Sequence, residues 1–144
     1  MLNKLQRAVG LKKKARLFFD TNALLLLGSK GLDVYTEANR LIMEPVESCI
    51  VNTTIDELKN IIEGLTGANG KDKFNAKLGL IFIKQKGLKV VRSSSSDRLV
   101  DDTFVRIADE KTYVVTLDKA LQKRLKEKKA TIITVRQNRL EIKV

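Results

Sequence analysis

The sequence predicts an α/β domain with a mainly parallel central sheet. Short apolar segments with strand character alternate with segments of helical periodicity along most of the chain, a pattern typical of strands joined by helical crossovers. Turns rich in glycine or serine lie between several of these segments. A length of 144 residues fits a single domain, and residues 1–14 form its basic N-terminal segment.

Six strands are predicted in this order along the chain. The first is a buried apolar run that follows the basic segment. The last is an edge strand that follows a turn at Gln137 and Asn138. The predicted strands span residues 15–19, 48–52, 88–92, 113–116, 131–135 and 139–144.

Helices are predicted between the strands from apolar residues spaced three and four apart. The first begins at residues 24–27 and breaks at the glycines of 28–31, and Pro45 stops a second one at 34–43. The apolar residues of 24–27 and 34–42 belong either to the core or to the face of a homodimer. The remaining predicted helices span residues 55–65, 72–86, 98–110 and 119–128.

The charge of the chain favours a polyanionic partner, of which nucleic acid is the commonest. Its formal net charge is +11, from 28 lysines and arginines against 17 acids. A membrane partner is disfavoured, because there is no run of about 18 apolar residues and no long basic amphipathic helix. The one cysteine, Cys49, cannot form an internal disulfide, which fits a cytoplasmic protein.

The chain contains no histidine, which excludes a Ser-His-Asp or Cys-His nucleophile, a histidine base and a histidine-ligated zinc. A four-cysteine zinc site is excluded by the cysteine count. Any catalysis therefore depends on carboxylates, lysines, hydroxyls or hard metal ions.

Acidic residues follow the predicted strands. Asp20 ends the first strand, Glu57 lies early in the helix after the second, Asp101 and Asp102 begin the helix after residues 93–96, and Asp118 follows the fourth strand. The carboxyl ends of parallel strands meet at one edge of the sheet, where ligands of such folds bind. We therefore expect these carboxylates to converge in one crevice.

Each acid also has a purely structural interpretation. Thr54 and Glu57 match a capping box, and Asp118 matches an ordinary helix N-cap. The Asp101–Asp102 pair suits a helix dipole, and Asp20 suits a turn. Taken together, however, four or five carboxylates in one crevice would raise one another's pKa values strongly. A hard divalent ion such as magnesium relieves that repulsion and can activate water for attack on a phosphodiester.

Four segments, taken in order, resemble the motifs of the PIN-domain ribonucleases. They are "FFDTNALL", "TTIDELKNI", "DRLVDDTFVRIADE" and "YVVTLDKALQKRL", and the resemblance extends from about residue 17 to residue 135. The basic residues after "TLD" and the segment "TIITVRQNRLEI" resemble the PIN nucleases that process small-subunit ribosomal RNA. The resemblance implies a three-layer α/β/α sandwich with a mainly parallel sheet, and a nuclease that uses Mg²⁺ or Mn²⁺.

The resemblance also implies the site residues. Asp20, Glu57, Asp118 and one of Asp101 or Asp102 match the acids that carry catalysis and hold the metal. Two polar residues beside them, Asn22 and Thr116, match positions that hold Asp20 and Asp118 in place, although strand-end turns explain both equally well.

The acidic doublet is not resolved by the motif, but helical geometry favours Asp101. The apolar face of the predicted helix contains Val100, Phe104, Ile107 and Ala108. Asp101 flanks this face, whereas Asp102 points away from it and lies four residues before Arg106. We expect Asp101 to be the metal ligand of the pair.

Three basic clusters supply the excess charge, and each is either a solvated surface or a contact for RNA phosphates. The cluster after Asp118 is the best candidate for RNA, because its helix begins at the acids; its predicted RNA-binding residues are Lys119, Lys123, Arg124 and Lys126. The other two comprise Lys12, Lys13, Lys14 and Arg16, and Lys84, Lys86, Lys89 and Arg92.

The function predicted from these observations is metal-dependent cleavage of single-stranded RNA, with ribosomal RNA precursor as the substrate. Two alternatives remain open. One is a toxin ribonuclease of the same chemistry that an antitoxin partner inhibits; a neighbouring small open reading frame would favour it. The other is a non-catalytic RNA-binding scaffold, which a lack of metal binding would favour. The sequence does not identify the cleavage site or the number of metal ions.

Overall fold

The computed structural model describes residues 13–143. Its six strands are β1 (Ala15–Phe19), β2 (Val46–Val51), β3 (Lys89–Val91), β4 (Thr112–Val115), β5 (Thr131–Arg136) and β6 (Arg139–Lys143). The helices are α1 (Thr21–Leu24), α2 (Leu26–Lys30), α3 (Val34–Leu41), α4 (Asn52–Ile62), α5 (Gly70–Lys86), α6 (Val100–Ile107) and α7 (Lys119–Glu127).

The six strands form one sheet in the order β3-β2-β1-β4-β5-β6. The first five strands of this order are parallel to their neighbours, and only β6 is antiparallel, against β5. β1 lies between β2 and β4, with Phe18 aligned with Cys49 on one side and Val114 on the other. The predicted mainly parallel sheet is confirmed.

Helices cover both faces of the sheet. Leu17 and Phe19 of β1 pack in a cluster with α1 to α5, whereas Phe18 between them packs in a second cluster with α6 and α7. The Phe18 and Phe104 rings meet edge to face, with centroids 5.8 Å apart. Because β1 is apolar on both faces, it is the central strand of the predicted three-layer α/β/α sandwich, which is also confirmed.

The apolar residues of 24–27 and 34–42 lie mainly in the core. Leu24, Val34 and Ala38 are each 1 % exposed or less, and Leu26 and Ile42 are also buried. Most apolar side chains of these segments are therefore part of the core of this chain. No helix among residues 13–143 is long and apolar enough to cross a membrane.

Several helix boundaries differ from the prediction, among them the following two. The first helical region extends through Gly28 and stops only at Gly31, whose φ is 63°, a conformation that glycine adopts without strain. A Cβ at Gly28 would lie 2.2 Å from Oδ1 of Asn75, so this glycine permits close packing of α2 on α5. Helix α4 begins at Asn52, three residues before the predicted start.

Candidate active site

The carboxyl end of the sheet brings four acids together. Asp20 directly follows β1, and its backbone N–H donates to Val115 O at the end of β4, at 3.0 Å. Asp118 caps α7 just after β4, Glu57 lies in α4 after β2, and Asp101 lies in the first turn of α6. Each repels at least one of the others: Asp20 and Asp118 interact, Glu57 interacts with Asp20 and Asp101, and Asp101 interacts with Asp20 and Asp118.

Asp20 is the most enclosed of these acids, at 6 % exposure. Its Oδ1 accepts from the Thr21 N–H at 2.8 Å. Its Oδ2 accepts from Thr116 Oγ1 at 2.7 Å and from Asn22 Nδ2 at 3.3 Å. Burial raises the pKa of Asp20, and the charge of Asp118 raises it further, although the three hydrogen bonds partly offset both effects.

The end of β4 is tied to the same framework. Thr116 Oγ1 also accepts from the Asp118 N–H at 3.1 Å, and Asn22 Oδ1 accepts from the Leu117 N–H at 3.1 Å. The buried Gln122 donates from Nε2 to the Thr116 carbonyl at 2.7 Å. Asn22 and Thr116 thus contact Asp20 as well as the segment that carries Asp118. Gln122 was not identified from the sequence, since a glutamine inside a basic helix gives no signal of burial.

Asp118 has the capping geometry that its position suggests. Its Oδ1 accepts from the N–H groups of Ala120 and Leu121, at 2.9 and 3.1 Å. Both of these bonds use one oxygen, so the cap engages Oδ1 and not Oδ2. Capping and a place among the acids are therefore compatible for this residue.

Glu57 does not belong to a capping box, so that interpretation is wrong. The N-cap of α4 is Val51, which makes no side-chain capping bond, and Thr54 lies inside the helix. Glu57 is consequently in the second turn and not the first. Glu57 is exposed at the surface, but partial desolvation of its carboxylate raises its pKa, followed by repulsion from Asp20; repulsion from Asp101 adds to this. The buried Thr21 hydroxyl, whose geometry falls short of a hydrogen bond, partly offsets the upward shift of this pKa.

The two aspartates of the doublet have opposite environments. Burial raises the pKa of Asp101, and the charges of Asp20 and Asp118 raise it further. The pKa of Asp102 is instead lowered, first by the Leu99 N–H and then by the Arg124 guanidinium. Asp101 is therefore the member of the pair that interacts with the other acids.

Asp102 is occupied by structural contacts. Its Oδ2 accepts from the N–H groups of Arg98 and Leu99, both at 3.1 Å, and its Oδ1 accepts from Arg124 Nη2 at 3.1 Å. The predicted pairing with Arg106 is wrong, because Arg106 forms its ion pair with Asp97 at 3.0 Å. Asp97 was not considered from the sequence. It lies just before the helix, where it pairs with Arg106 in place of Asp102.

The donor chemistry of the acids suits a hard divalent ion. The pKa values of Asp20, Glu57 and Asp101 are all raised by burial and mutual repulsion, which a cation would relieve. The Thr21 hydroxyl beside them is buried and lacks a hydrogen-bond partner. Among residues 13–143, however, no three acidic or sulfur side chains lie close enough to hold an ion directly. Carboxylate and hydroxyl oxygens are ligand types that Mg²⁺ takes, commonly while keeping several waters.

The basic clusters lie at different distances from the acids. Helix α7 begins at Asp118, and its Arg124 contacts Asp102. Lys13, Lys14 and Arg16 instead lie at the start of β1, at the opposite end of this strand from Asp20. Lys13 there pairs with Asp109, and Lys12 lies outside the described residues.

The third cluster, at Lys84, Lys86, Lys89 and Arg92, is divided between the end of α5 and the edge strand β3. Lys86 lies over the Tyr35 ring, 5.1 Å from its centroid, and Lys89 pairs with Glu47 at 3.5 Å. Part of this charge is therefore engaged in contacts within the protein.

Comparisons with known proteins agree with this architecture. The profile of the PIN-like domain family matches residues 17–138. Among solved structures, one of the PIN-domain endonuclease Utp24 matches with a TM-score of 0.69 and 15% sequence identity, over 89% of this chain and 90% of that one. A search of curated protein sequences found no match.

Proposed function

This chain belongs to the PIN-like domain family, and we propose that it is a metal-dependent endoribonuclease that cleaves single-stranded RNA. The family resemblance seen in the four sequence motifs, and the structural similarity to a PIN-domain endonuclease, support nuclease activity. The further assignment to ribosomal RNA precursor is supported by the resemblance of residues 131–142 and of the basic helix after "TLD" to the ribosomal members of the family.

The observation that carries the proposal is the repulsion among the four acids. A protein that used them only for caps and turns would have no need to place Asp101 and Glu57 where Asp20 raises their pKa values. Such shifts concentrate at functional sites. The same positions suit binding of a divalent ion, which would neutralise charge on a phosphodiester and make a water molecule more acidic.

The residues of this chain have distinct parts in the proposed reaction. Asp20, fixed by Thr21, Asn22 and Thr116, would present its carboxylate to the ion in one orientation. Asp118, Asp101 and Glu57 would offer further oxygens to the ion or to its bound waters. An acid with a raised pKa also suits acceptance of the proton that the attacking water releases. The water then adds to phosphorus, and the bond from phosphorus to the leaving ribose oxygen breaks.

The basic residues of α7 would place the substrate. Lys119 directly follows Asp118, and Arg124 lies against Asp102 at the start of α6. With Lys123 and Lys126 they would contact backbone phosphates, which position RNA without reading its sequence. Arg124 is already paired with Asp102, so it would bridge the protein and a phosphate.

The proposal is tested with purified protein and two end-labelled RNAs of equal length, a small-subunit ribosomal RNA precursor fragment and an unrelated single-stranded sequence. Each is incubated with Mg²⁺, Mn²⁺ or EDTA, and the new ends are mapped. We expect cleavage with either ion and none in EDTA, with a defined site only in the precursor. Equal, scattered cleavage of both RNAs would contradict the ribosomal assignment alone. Metal-supported binding without any cleavage would contradict the nuclease assignment.

A further inference from the structure

A lysine groove runs beside α7 on the outer part of the molecule. It has a volume of about 550 Å³ and lies between α7 and strands β5 and β6. Its floor is partly apolar, with Ala130, Ile132 and Ile142. Its charged lining residues are all lysines, namely Lys119, Lys123, Lys126, Lys129 and Lys143. No acid is among the described residues that line it.

The five lysines of the lysine groove concentrate positive charge that the fold does not neutralise. Within residues 13–143 none of them forms an ion pair, whereas Lys13, Lys89 and Lys111 all do. Lys119, Lys123 and Lys126 recur at four- and three-residue spacing, which places them on one side of the helix. At 1.5 Å per residue they extend over about 10 Å. A groove of this charge needs an anionic occupant with charges at several points.

The lysine groove starts at Lys119, one residue along the chain from Asp118. Lys143 Nζ donates to Gln122 Oε1 at 2.6 Å, and Gln122 Nε2 donates to the Thr116 carbonyl at 2.7 Å. The Thr116 hydroxyl in turn bonds to Asp20. One hydrogen-bonded framework therefore supports both the wall of the groove and the most buried acid.

We propose that the lysine groove binds one arm of the single-stranded RNA substrate through its phosphates, as the strand leaves the acids past Asp118. This inference rests on the proposed function and adds to it a path for the substrate and two further contact residues, Lys129 and Lys143. RNA suits the groove better than an acidic protein segment, because the lining begins at the residue after Asp118, one of the acids that would cut a phosphodiester. Contacts of this kind hold RNA of any sequence.

The test measures binding of a labelled single-stranded RNA in EDTA, where no metal-dependent cleavage occurs. Lys126→Glu/Lys129→Glu is compared with the matched control Lys71→Glu/Lys77→Glu, which makes the same change in net charge at exposed lysines of α5 on the other face of the sheet. We expect the groove variant to lose about tenfold or more in affinity and to lower the slope of log K against log salt by about 2. In the control variant, the logarithm of the affinity should fall by less than a third as much. Thermal melts verify that both variants fold.

Equal losses in the two variants, or no loss in either, would overturn the lysine groove as the RNA site. Displacement of the RNA by an equimolar polyglutamate peptide would also overturn the proposal and indicate an acidic protein partner. These results are distinguishable from failure of the nuclease assignment. If the groove binds RNA but the protein never cleaves it, the groove proposal holds and the nuclease proposal fails. If the wild type cleaves RNA but the two variants bind it equally, the nuclease proposal holds and the groove proposal fails.

Discussion

The hydroxyl of Thr116 donates a 2.7 Å hydrogen bond to Oδ2 of Asp20. The two residues follow neighbouring parallel strands, β4 and β1, so the bond joins the two strand ends at the place where the acids meet. Thr116 also accepts from the Asp118 N–H. Its side chain therefore sets the position of one acid directly and of a second through the backbone.

Replacing Thr116 with valine should impair both stability and cleavage. Valine has nearly the same shape but leaves the Asp118 N–H without a partner and the buried Asp20 Oδ2 with only its longer bond from Asn22, at a cost of about 1–3 kcal/mol of unfolding free energy. Losing a bond to the ionised form also raises the pKa of Asp20, so the pH–rate profile should move to higher pH. Urea unfolding and single-turnover rates measure these effects. Thr116→Ser retains the hydroxyl and should restore both; failure of serine to do so would show that packing matters more than the bond.

Asp20→Asn should leave the melting temperature in EDTA unchanged or raise it. The carboxylate is buried and repelled by Asp118, and asparagine removes that repulsion while keeping the size and the ability to cap a helix. Added Mn²⁺ should raise the melting temperature of the wild type, because binding to the folded state stabilises it, and that of the variant much less. A clearly lower melting temperature for the variant in EDTA would instead support a turn-forming role for Asp20.

The metal-free protein should become more stable as pH falls from 7 towards about 4.5. Asp20, Glu57 and Asp101 have raised pKa values in the fold, so in this range the folded state binds protons that the unfolded state does not. The chain has no histidine to obscure the effect. Asp97 and Asp102, whose pKa values are lowered, contribute stability that is lost only below their unfolded values near 3.8.

Urea midpoints in EDTA at several pH values test this dependence. The curve of Asp101→Asn should be flatter than that of the wild type, since one of the three titrating groups is gone. Stability that rises steadily with pH across the same range would mean that the acids do not repel one another in the folded protein.

The two members of the acidic doublet should behave differently on substitution. Asp101→Asn removes charge that lies among the acids and should abolish cleavage, since a small misplacement of reacting groups costs on the order of a hundredfold in rate. Asp102→Asn keeps an oxygen that can accept from the Arg98 and Leu99 N–H groups, and should retain most activity. It loses the Arg124 pair, which is partly exposed, and such pairs contribute little to stability. Single-turnover rates at saturating Mn²⁺, beside circular dichroism, decide the matter; an inactive Asp102→Asn would reverse the assignment.

The positions of the acids that follow from strand order were predictable from the sequence. The contacts of side chains that have several possible partners were not. Asp20 and Asp118 end apolar runs, so their common edge follows from a parallel sheet. The sequence placed the start of α4 at residue 55, because Thr54 and Glu57 have the spacing of a capping box. The helix instead begins at Asn52, before both residues. The partner of Asp102 was also missed. Arg106 lies four residues after Asp102 in sequence. In the fold, however, Arg106 pairs with Asp97, and Asp102 pairs with Arg124.

The most direct test of the nuclease assignment is single-turnover cleavage of single-stranded RNA at saturating Mn²⁺ by the wild type, Asp20→Asn and Asp33→Asn. Asp33 is a matched control: it caps α3, and its Oδ1 accepts from the Thr36 N–H at 3.0 Å, but its pKa is lowered rather than raised. We expect Asp33→Asn to cleave at close to the wild-type rate and Asp20→Asn to lose at least about a hundredfold, with all three proteins folded by circular dichroism. Equal rates for the two folded variants would contradict a catalytic role for the acids at the end of the sheet.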